Sequence, residues 1–212
     1  CIFTKTIKVR WEFYKLVTRG FFGKNEKNDR VPPGQYLENR FPVLSAEPTP
    51  KIDIKDWKLS IIYNNESFAE INWDILKNLP SSSIKKDIHC VTRWTKFDMS
   101  WKGVKVSTIF DELGFKPPTS WTMIGSSTGY TTNVPLNDLI LENTIISYSY
   151  EDEPISPEHG GPVRLIVPHL YFWKSAKWVD KITFLEKDTP GFWENYGYHM
   201  YGDPWKEQRY SG

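Results

Sequence analysis

One stretch of this sequence contains its single internal cysteine: Asp87-Ile88-His89-Cys90-Val91-Thr92-Arg93-Trp94. The other cysteine of the chain is its first residue, Cys1. A lone thiol cannot supply a structural zinc site, because such a site needs several Cys or His ligands. Cys90 is therefore either an inert core residue or a reactive thiolate, and this stretch by itself leaves both interpretations open.

The chain is long enough to fold without disulfides. Its 212 residues would bury about 70 % of the surface that the unfolded chain exposes. Lys and Arg number 27 and Asp and Glu number 26, so no overall field favours nucleic acid or a charged membrane. We find no membrane span and no signal peptide, and we expect a cytoplasmic protein. Export of a longer precursor stays open as the alternative.

The sequence divides into a basic N-terminal arm, residues 1–27, and one domain, residues 28–212. The arm is interpreted as a solvated segment, with partner docking as the alternative. Residues 189–212 are interpreted as a long ordered loop whose aromatic residues pack over the domain. The alternative is that this loop lines a ligand site, with Tyr198 or His199 as a proton donor. Short strands are predicted at 57–63, 84–92, 121–126, 130–134, 144–150, 163–167 and 178–185, and short helices at 72–79, 107–113 and 135–141. Because the strands do not alternate with long helices, the predicted fold is α+β, a strand-rich mixed-sheet domain.

A second signal is the run His159-Gly160-Gly161-Pro162-Val163-Arg164, which is followed by Lys174-Ser175-Ala176-Lys177. Glycines let the backbone approach a ligand closely, and the basic side chains could converge on an anionic group such as a phosphate. The alternative interpretation is a turn that enters a strand, with surface lysines on the next turn. The run is not a P-loop, because the spacing of its Gly, Lys and Ser residues is wrong.

Together these residues resemble a known family. The His-Cys-Val-x-x-Trp setting of Cys90, followed by His-Gly-x-Pro-Val-Arg and Lys-x-x-Lys-Trp, is similar to the molybdopterin-binding domain of the sulfite oxidase family. The segment Asn39-Arg40-Phe41-Pro42-Val43 resembles the Asn-x-x-Pro-Val arm of that family. The matches occur in the expected order. The resemblance implies the family's mixed α+β fold and a molybdenum-molybdopterin cofactor.

The resemblance also implies roles for single residues. Cys90 is expected to be the only protein ligand of molybdenum, and a soft thiolate suits a metal whose other sulfur ligands come from the cofactor. Arg93 is a candidate contact for an anionic substrate, with a packed or surface arginine as the alternative. The other predicted cofactor-binding residues are Asn39, Arg40, Pro42, Val43, Ser126, His159, Arg164, Ser175, Ala176 and Lys177.

The chain departs from sulfite oxidases directly after the cysteine. Val91-Thr92-Arg93-Trp94 stands where animal and plant sulfite oxidases carry Ala-Gly-Asn-Arg-Arg, and is closer to the bacterial methionine sulfoxide reductase catalytic subunit. The implied function is oxygen-atom transfer to or from a small sulfur-containing substrate, with S-oxide reduction ahead of sulfite oxidation. The resemblance implies a one-electron redox partner protein. A haem domain is too large for these 212 residues, so we expect no haem in this chain.

Two other functions stay open. The 10 Trp, 11 Tyr and 12 Phe residues could form the ligand surface of a cofactor-free binding module. Alternatively, Cys90 could be the nucleophile of a thiol-dependent hydrolase. The first leaves the basic run unexplained, and the second predicts rapid alkylation of Cys90, which a metal-bound thiolate should resist.

Overall fold

The computed structural model describes residues 28–211, which form two β-sheets with short helices around them. The α+β, strand-rich prediction is confirmed. The predicted basic arm, residues 1–27, lies outside the described residues. Among the helices of residues 28–211, none combines the length and the apolar character that crossing a membrane requires.

The elements of the described chain are short. Its strands are β1 (Tyr36–Leu37), β2 (Lys58–Tyr63), β3 (Glu66–Asn72), β4 (Ser82–His89), β5 (Trp94–Lys105), β6 (Trp121–Ser126), β7 (Thr131–Pro135), β8 (Ile145–Tyr150), β9 (Glu153–Pro154), β10 (Arg164–Ile166) and β11 (Val179–Leu185). Its α-helices are α1 (Trp73–Asn78), α2 (Val106–Glu112), α3 (Leu136–Leu139) and α4 (Phe192–Asn195). Short 3-10 helices are formed by Pro157–His159, Phe172–Lys174 and Pro204–Lys206.

Both sheets depend on pairing between distant parts of the chain. In the first sheet β1, β5, β8 and β10 are neighbours in that order, while β4 pairs with β5 and β9 with β8. The second sheet has the order β3-β2-β11-β6-β7. The pairs β1–β5 and β2–β11 are parallel and the other pairs are antiparallel. The parallel pair β2–β11 therefore joins an early strand of the described chain to its last strand.

The first sheet carries a buried cluster on each face. Adjacent residues of a strand point to opposite faces, and Ile146 and Leu165 belong to the large core shared with the second sheet. Their neighbours Ile145 and Ile166 belong to a second cluster, which is rich in aromatic residues and contains Cys90. All four isoleucine and leucine side chains are fully buried. Cys90 thus lies in the cluster on the face opposite the main core.

Local signals account for some element ends and fail at others. Asn72 caps α1 as predicted, because its side-chain oxygen accepts a hydrogen bond of 2.9 Å from the backbone N–H of Ile75. The strand predicted at 84–92 instead ends at His89, and Cys90 begins a turn. Strands β3 and β5 were not predicted. In β5 the apolar alternation is interrupted by Asp98, whose φ is 55°.

A buried ion pair ties the C-terminal segment to the second sheet. The side chains of Lys174 and Glu194 are both fully buried, and Nζ lies 2.6 Å from Glu194 Oε1. Nζ also lies 2.6 Å from Asn133 Oδ1 on β7 and from the carbonyl oxygen of Met200. Glu194 Oε1 accepts a second hydrogen bond of 2.8 Å from Trp173 Nε1. These contacts join the 3-10 helix Phe172–Lys174 to β7 and to α4.

Replacing only the lysine of this pair should destabilise the fold strongly. Lys174→Met leaves the Glu194 carboxylate buried without its cation, and we expect the free energy of unfolding in urea to fall by about 3 to 5 kcal/mol. The double variant Lys174→Met/Glu194→Leu should regain part of that loss. The matched control is Lys58→Met, because the Lys58–Glu70 pair is exposed and should contribute less than about 1 kcal/mol. Equal losses in Lys174→Met and the control would contradict this account.

Candidate active site

Cys90 lies in a tight turn between β4 and β5. Its backbone N–H donates to the carbonyl oxygen of Trp94 at 2.9 Å, and the N–H of Arg93 donates to the carbonyl oxygen of Cys90 at 2.9 Å. Arg93 has a φ of 79°, a conformation that costs a non-glycine residue roughly 1 to 2 kcal/mol. The turn is therefore held in place by contacts from outside it.

Both ends of the described chain hold this turn. Gln35 Nε2 donates to the carbonyl oxygen of Cys90 at 3.0 Å, and Arg209 Nη1 donates to the carbonyl oxygen of Val91 at 2.8 Å. Both side chains are buried. Sequence reasoning missed both residues, because these contacts join positions 55 and 118 residues apart and neither residue belongs to a recognisable motif.

The sulfur of Cys90 is nearly enclosed. The residue is 7 % exposed, and the Thr92 hydroxyl donates a hydrogen bond of 3.2 Å to Sγ. Burial raises the pKa of the Cys90 thiol, and the hydrogen bond from Thr92 offsets part of that rise. A bound cation reverses this balance, since a coordinating thiol is deprotonated outright. The environment suits a metal ligand better than a freely reacting thiolate.

Cys90 lines a cavity of about 580 Å³, within the range of 300–1,000 Å³ that is usual for small-molecule and cofactor sites. Its wall is formed by parts of the segment 35–47, by the Cys90 turn, by Thr128 and Tyr130, by His159 and Arg164, by most of the segment 172–178, and by Trp193 and Tyr198. The wall is mainly apolar, and its charged groups are confined to a few positions.

Arg164 provides a fixed positive charge in the wall. It is 1 % exposed and donates to the carbonyl oxygens of His159 at 2.6 Å and Ser175 at 2.8 Å. Its guanidinium carbon lies 4.2 Å from the ring centroid of Phe172. Burial lowers the pKa of Arg164 to about 9, so the group stays charged at neutral pH. Sequence and fold together place this charge at the start of β10.

Lys177 adds a second cation beside Arg164. Its Nζ donates to the carbonyl oxygen of Glu158 at 2.6 Å and to Ser45 Oγ at 2.9 Å. Burial, and then the charge of Arg164, lower the pKa of Lys177 to about 7. Gly160 has a φ of 108°, and a side chain there would come within 3.0 Å of Lys177. The glycine of the His-Gly-Gly run thus keeps space for this lysine.

His159 faces the segment 35–47. Its ring stacks on Phe41 with a centroid separation of 3.8 Å and an interplanar angle of 6°. Burial, followed by the charges of Arg164 and Lys177, lowers the pKa of His159 to about 4, so the ring is neutral near pH 7. A neutral ring stacks on the phenyl group without losing the hydration of a charge.

Several buried polar atoms of this wall lack a partner within the described part of the chain: His159 Nδ1, Arg164 Nε and Trp94 Nε1. Leaving such a group unsatisfied costs about 1 to 3 kcal/mol, and a polar ligand bound against it relieves that cost. The cationic groups suit a phosphate and the Cys90 sulfur suits a soft metal. The residues present therefore fit the predicted molybdopterin.

The structure brings most of the predicted site residues to one cavity and leaves others outside it. The predicted residues that line it are Arg40, Pro42, Cys90, His159, Arg164, Ser175, Ala176 and Lys177. Asn39, Val43 and Arg93 are exposed and are not among the residues that line it. Ser126 is buried behind the wall, where its hydroxyl lies 3.1 Å from that of Thr128, a lining residue.

An aromatic group of the C-terminal segment completes the wall; packing against the domain was the favoured interpretation of this segment and lining of a ligand site was the alternative. The rings of Trp193 and Tyr198 stack at 5.0 Å with an interplanar angle of 16°, and Trp173 meets Tyr198 edge-on at 5.0 Å. Trp173 and Tyr198 share a buried cluster with Cys90. Their aromatic character was visible in the sequence, but only the folding of the C-terminal segment over the cavity reveals their position.

Comparisons with known proteins agree with this geometry. The sequence profile of the "Oxidoreductase molybdopterin binding domain" family matches residues 46–193. The chain is 40 % identical over 195 residues to the "uncharacterized oxidoreductase YuiH" of Bacillus subtilis, covering 90 % of this chain and 98 % of that protein. Both matches include the Cys90 turn and the basic run.

More distant relatives are larger proteins. The mitochondrial sulfite oxidase of Drosophila melanogaster is 25 % identical, and the match covers 77 % of this chain and 32 % of that protein. The protein-methionine-sulfoxide reductase catalytic subunit MsrP of Campylobacter jejuni is 22 % identical, with 70 % and 55 % covered. The chain thus spans about a third and about half of these two relatives.

The fold also matches a solved structure. The crystal structure of the sulfane dehydrogenase SoxCD from Paracoccus pantotrophus superposes with a TM-score of 0.59 at 17 % identity, covering 83 % of this chain and 52 % of that one. The superposition confirms the mixed-sheet fold predicted from the resemblance. The match to the molybdopterin-binding family confirms the predicted molybdopterin cofactor. The chain belongs to the oxidoreductase molybdopterin-binding domain family and is an oxidoreductase of the sulfite oxidase-like type.

Proposed function

We propose that this protein reduces a neutral organic S-oxide, with molybdopterin in the cavity and Cys90 as the protein ligand of molybdenum. One observation carries the choice of substrate. Val91, Thr92 and Trp94 line the cavity next to Cys90, whereas Arg93, the basic residue of the turn, is exposed and is not part of the wall. The turn thus contributes no positive charge to the cavity beside the cysteine.

A sulfite ion would be poorly accommodated by this wall. Moving an anion from water against Trp173, Trp193 and Tyr198 costs several kcal/mol unless a cation compensates it. The carboxylate of Glu38 also lines the cavity, and a hydrogen bond from the backbone N–H of Arg40 lowers its pKa. Glu38 therefore stays negative at neutral pH and offsets the charge of Arg40, so this pair offers an anion no net attraction. A neutral sulfoxide avoids the cost of moving an anion against the aromatic wall.

Two cations of the wall are assigned to the cofactor in this proposal. Arg164 and Lys177 would hold the cofactor phosphate through charge-assisted hydrogen bonds. Arg164 is fixed in advance by the carbonyl oxygens of His159 and Ser175. The stack of Phe41 on His159 joins the segment 35–47 to the basic run. We therefore include the segment 35–47 in the proposed cofactor-binding site.

The chemistry that the cofactor supplies when bound is a two-electron reduction, in which R₂SO, two electrons and two protons give R₂S and water. The chain positions and shields this reaction. The hydrogen bond from the Thr92 hydroxyl fixes the direction of Cys90 Sγ. The aromatic side chains beside it exclude water and offer an apolar surface to the alkyl groups of the substrate. A redox partner protein would deliver the electrons.

Sulfite oxidation is the second candidate, and Arg40 is the residue that favours it. Arg40 lines the cavity, and its side chain is 77 % exposed, so it could meet an incoming anion. Its guanidinium Nε lies 3.4 Å from Glu38 Oε1. Because that carboxylate already neutralises the charge, we rank this function second.

Turnover of the two substrates should differ. With reduced viologen as donor, we expect a dialkyl sulfoxide to be reduced with a kcat/KM at least roughly tenfold above that for sulfite oxidation with ferricyanide. In the sulfoxide assay Trp193→Ala should lower kcat/KM roughly tenfold, since a truncated aromatic side chain loses about 1.5 to 3 kcal/mol of apolar contact. Faster sulfite oxidation, together with no effect of Trp193→Ala, would contradict the proposal.

Cofactor retention should depend on the charge of Lys177. Lys177→Met loses a charge-assisted hydrogen bond of about 1.5 to 3 kcal/mol, and we expect roughly tenfold weaker retention of molybdenum per chain after gel filtration. Lys177→Arg should retain it, and Lys181→Met, at a half-exposed position of β11, is the matched control.

The same lysine predicts a pH dependence. Because its pKa in the free protein is about 7, uptake of the anionic cofactor by wild-type apoprotein should weaken as the pH rises above that value, where Lys177 loses its proton. Lys177→Arg should not show this decline. Unchanged molybdenum content in Lys177→Met would remove this lysine from the cofactor site.

A further inference from the structure

Arg209 is a buried cation behind the Cys90 turn. The residue is 6 % exposed. Its Nη1 donates to the carbonyl oxygen of Val91 at 2.8 Å, and its Nη2 donates to that of Pro33 at 3.3 Å. The guanidinium carbon lies 5.0 Å from the ring centroid of Tyr171. A carboxylate oxygen of Glu207 is 3.8 Å from Nη2, but that side chain is 50 % exposed.

This environment compensates the charge of Arg209 only in part. A buried charge is costly unless an opposite charge and hydrogen bonds balance it. The two hydrogen bonds go to neutral carbonyl groups, and the Glu207 carboxylate, 3.8 Å away, is half exposed, so solvent screens its charge. A further anion close to the Val91 carbonyl would complete the balance. The thiolate of Cys90, one residue before Val91, is such an anion when it binds a metal.

Arg209 differs from the other residue that fixes this turn. Gln35 holds the carbonyl group of Cys90 through a neutral amide, so it can set geometry but supplies no charge. Arg209 holds the next carbonyl group and brings a permanent charge with it. Gln35 therefore contributes only to the geometry of the turn, whereas Arg209 contributes to its geometry and to the electrostatic potential around it.

We propose that Arg209 is a positioning residue that acts through the Cys90 turn and raises the reduction potential of the metal centre. It fixes the Val91 carbonyl group, and its positive charge stabilises the state that carries the additional electron. Adding one electron without a proton makes the centre more negative, so a nearby fixed cation favours the reduced form. This inference rests on the proposed ligation of molybdenum by Cys90.

The test is an EPR-monitored redox titration of molybdenum-loaded protein, together with molybdenum content per chain. Arg209→Gln removes the charge and should lower the midpoint potential. A tenfold change in the one-electron equilibrium constant, which we expect at least, corresponds to about 59 mV. Arg209→Lys keeps the charge and should stay near the wild-type potential. Lys58→Gln removes the same formal charge at an exposed, distant pair and should cause no shift.

A second variant covers the case in which Arg209→Gln does not fold. Glu207→Gln removes the half-exposed counter-charge and should raise the potential, the opposite sign. A loaded Arg209→Gln protein with the potential of Lys58→Gln would overturn the inference and leave the proposed function intact. Equal shifts in Arg209→Gln and Arg209→Lys, or no rise in Glu207→Gln, would also overturn it. Wild-type protein without molybdenum would contradict the proposed function and remove this inference with it.

Discussion

The hydrogen bonds that fix the Cys90 turn from both ends of the described chain are the contacts on which the site depends. Gln35 contacts the turn from the segment 35–47, and Arg209 contacts it from the C-terminal segment. The N–H of Tyr36 also donates to the carbonyl oxygen of Arg93 at 2.8 Å. The segment 35–47 supplies Phe41 to the cavity wall, and the C-terminal segment supplies Trp193 and Tyr198. Anchoring the turn therefore closes the wall at the same time.

The cavity wall combines a few charged side chains with a large apolar part. Arg164, at the start of β10, and Lys177, just before β11, supply positive charge. The residues of the turn that line the cavity with Cys90 are Val91, Thr92 and Trp94, which carry no charge, and aromatic side chains pack with Cys90 in one buried cluster. A cofactor with an anionic phosphate and a soft metal needs both kinds of group. The apolar part of the wall is the physical basis for the neutral substrate that we propose.

The sequence predicted the part of the site that local motifs encode. Cys90, His159, Arg164 and Lys177 stand in short recognisable runs, and the structure gathers all of them around one cavity. Strand β8 was predicted because its apolar residues are adjacent or alternate along a run of strand length, whereas the polar residues of β5 hid a strand that pairs on both sides. No periodicity marks contacts between distant segments.

Gln35, Arg209 and the buried pair of Lys174 with Glu194 were out of reach for that reason. Each acquires its role only when the segment 35–47 or the C-terminal segment folds back onto the sheets. Asn39, Val43 and Arg93 show the converse, because matching a motif did not place them at the cavity wall. A motif fixes residue types, while the packing of the two chain ends decides which of them face the ligand.

Ligation of molybdenum by Cys90 is the central claim, and X-ray absorption at the molybdenum edge tests it most directly. The comparison is between loaded wild-type protein and Cys90→Ser. Our account predicts a wild-type centre with a protein thiolate in addition to the cofactor sulfurs, and a variant that either has one sulfur neighbour fewer or has lost the metal. A fully loaded variant with an unchanged sulfur shell would contradict it.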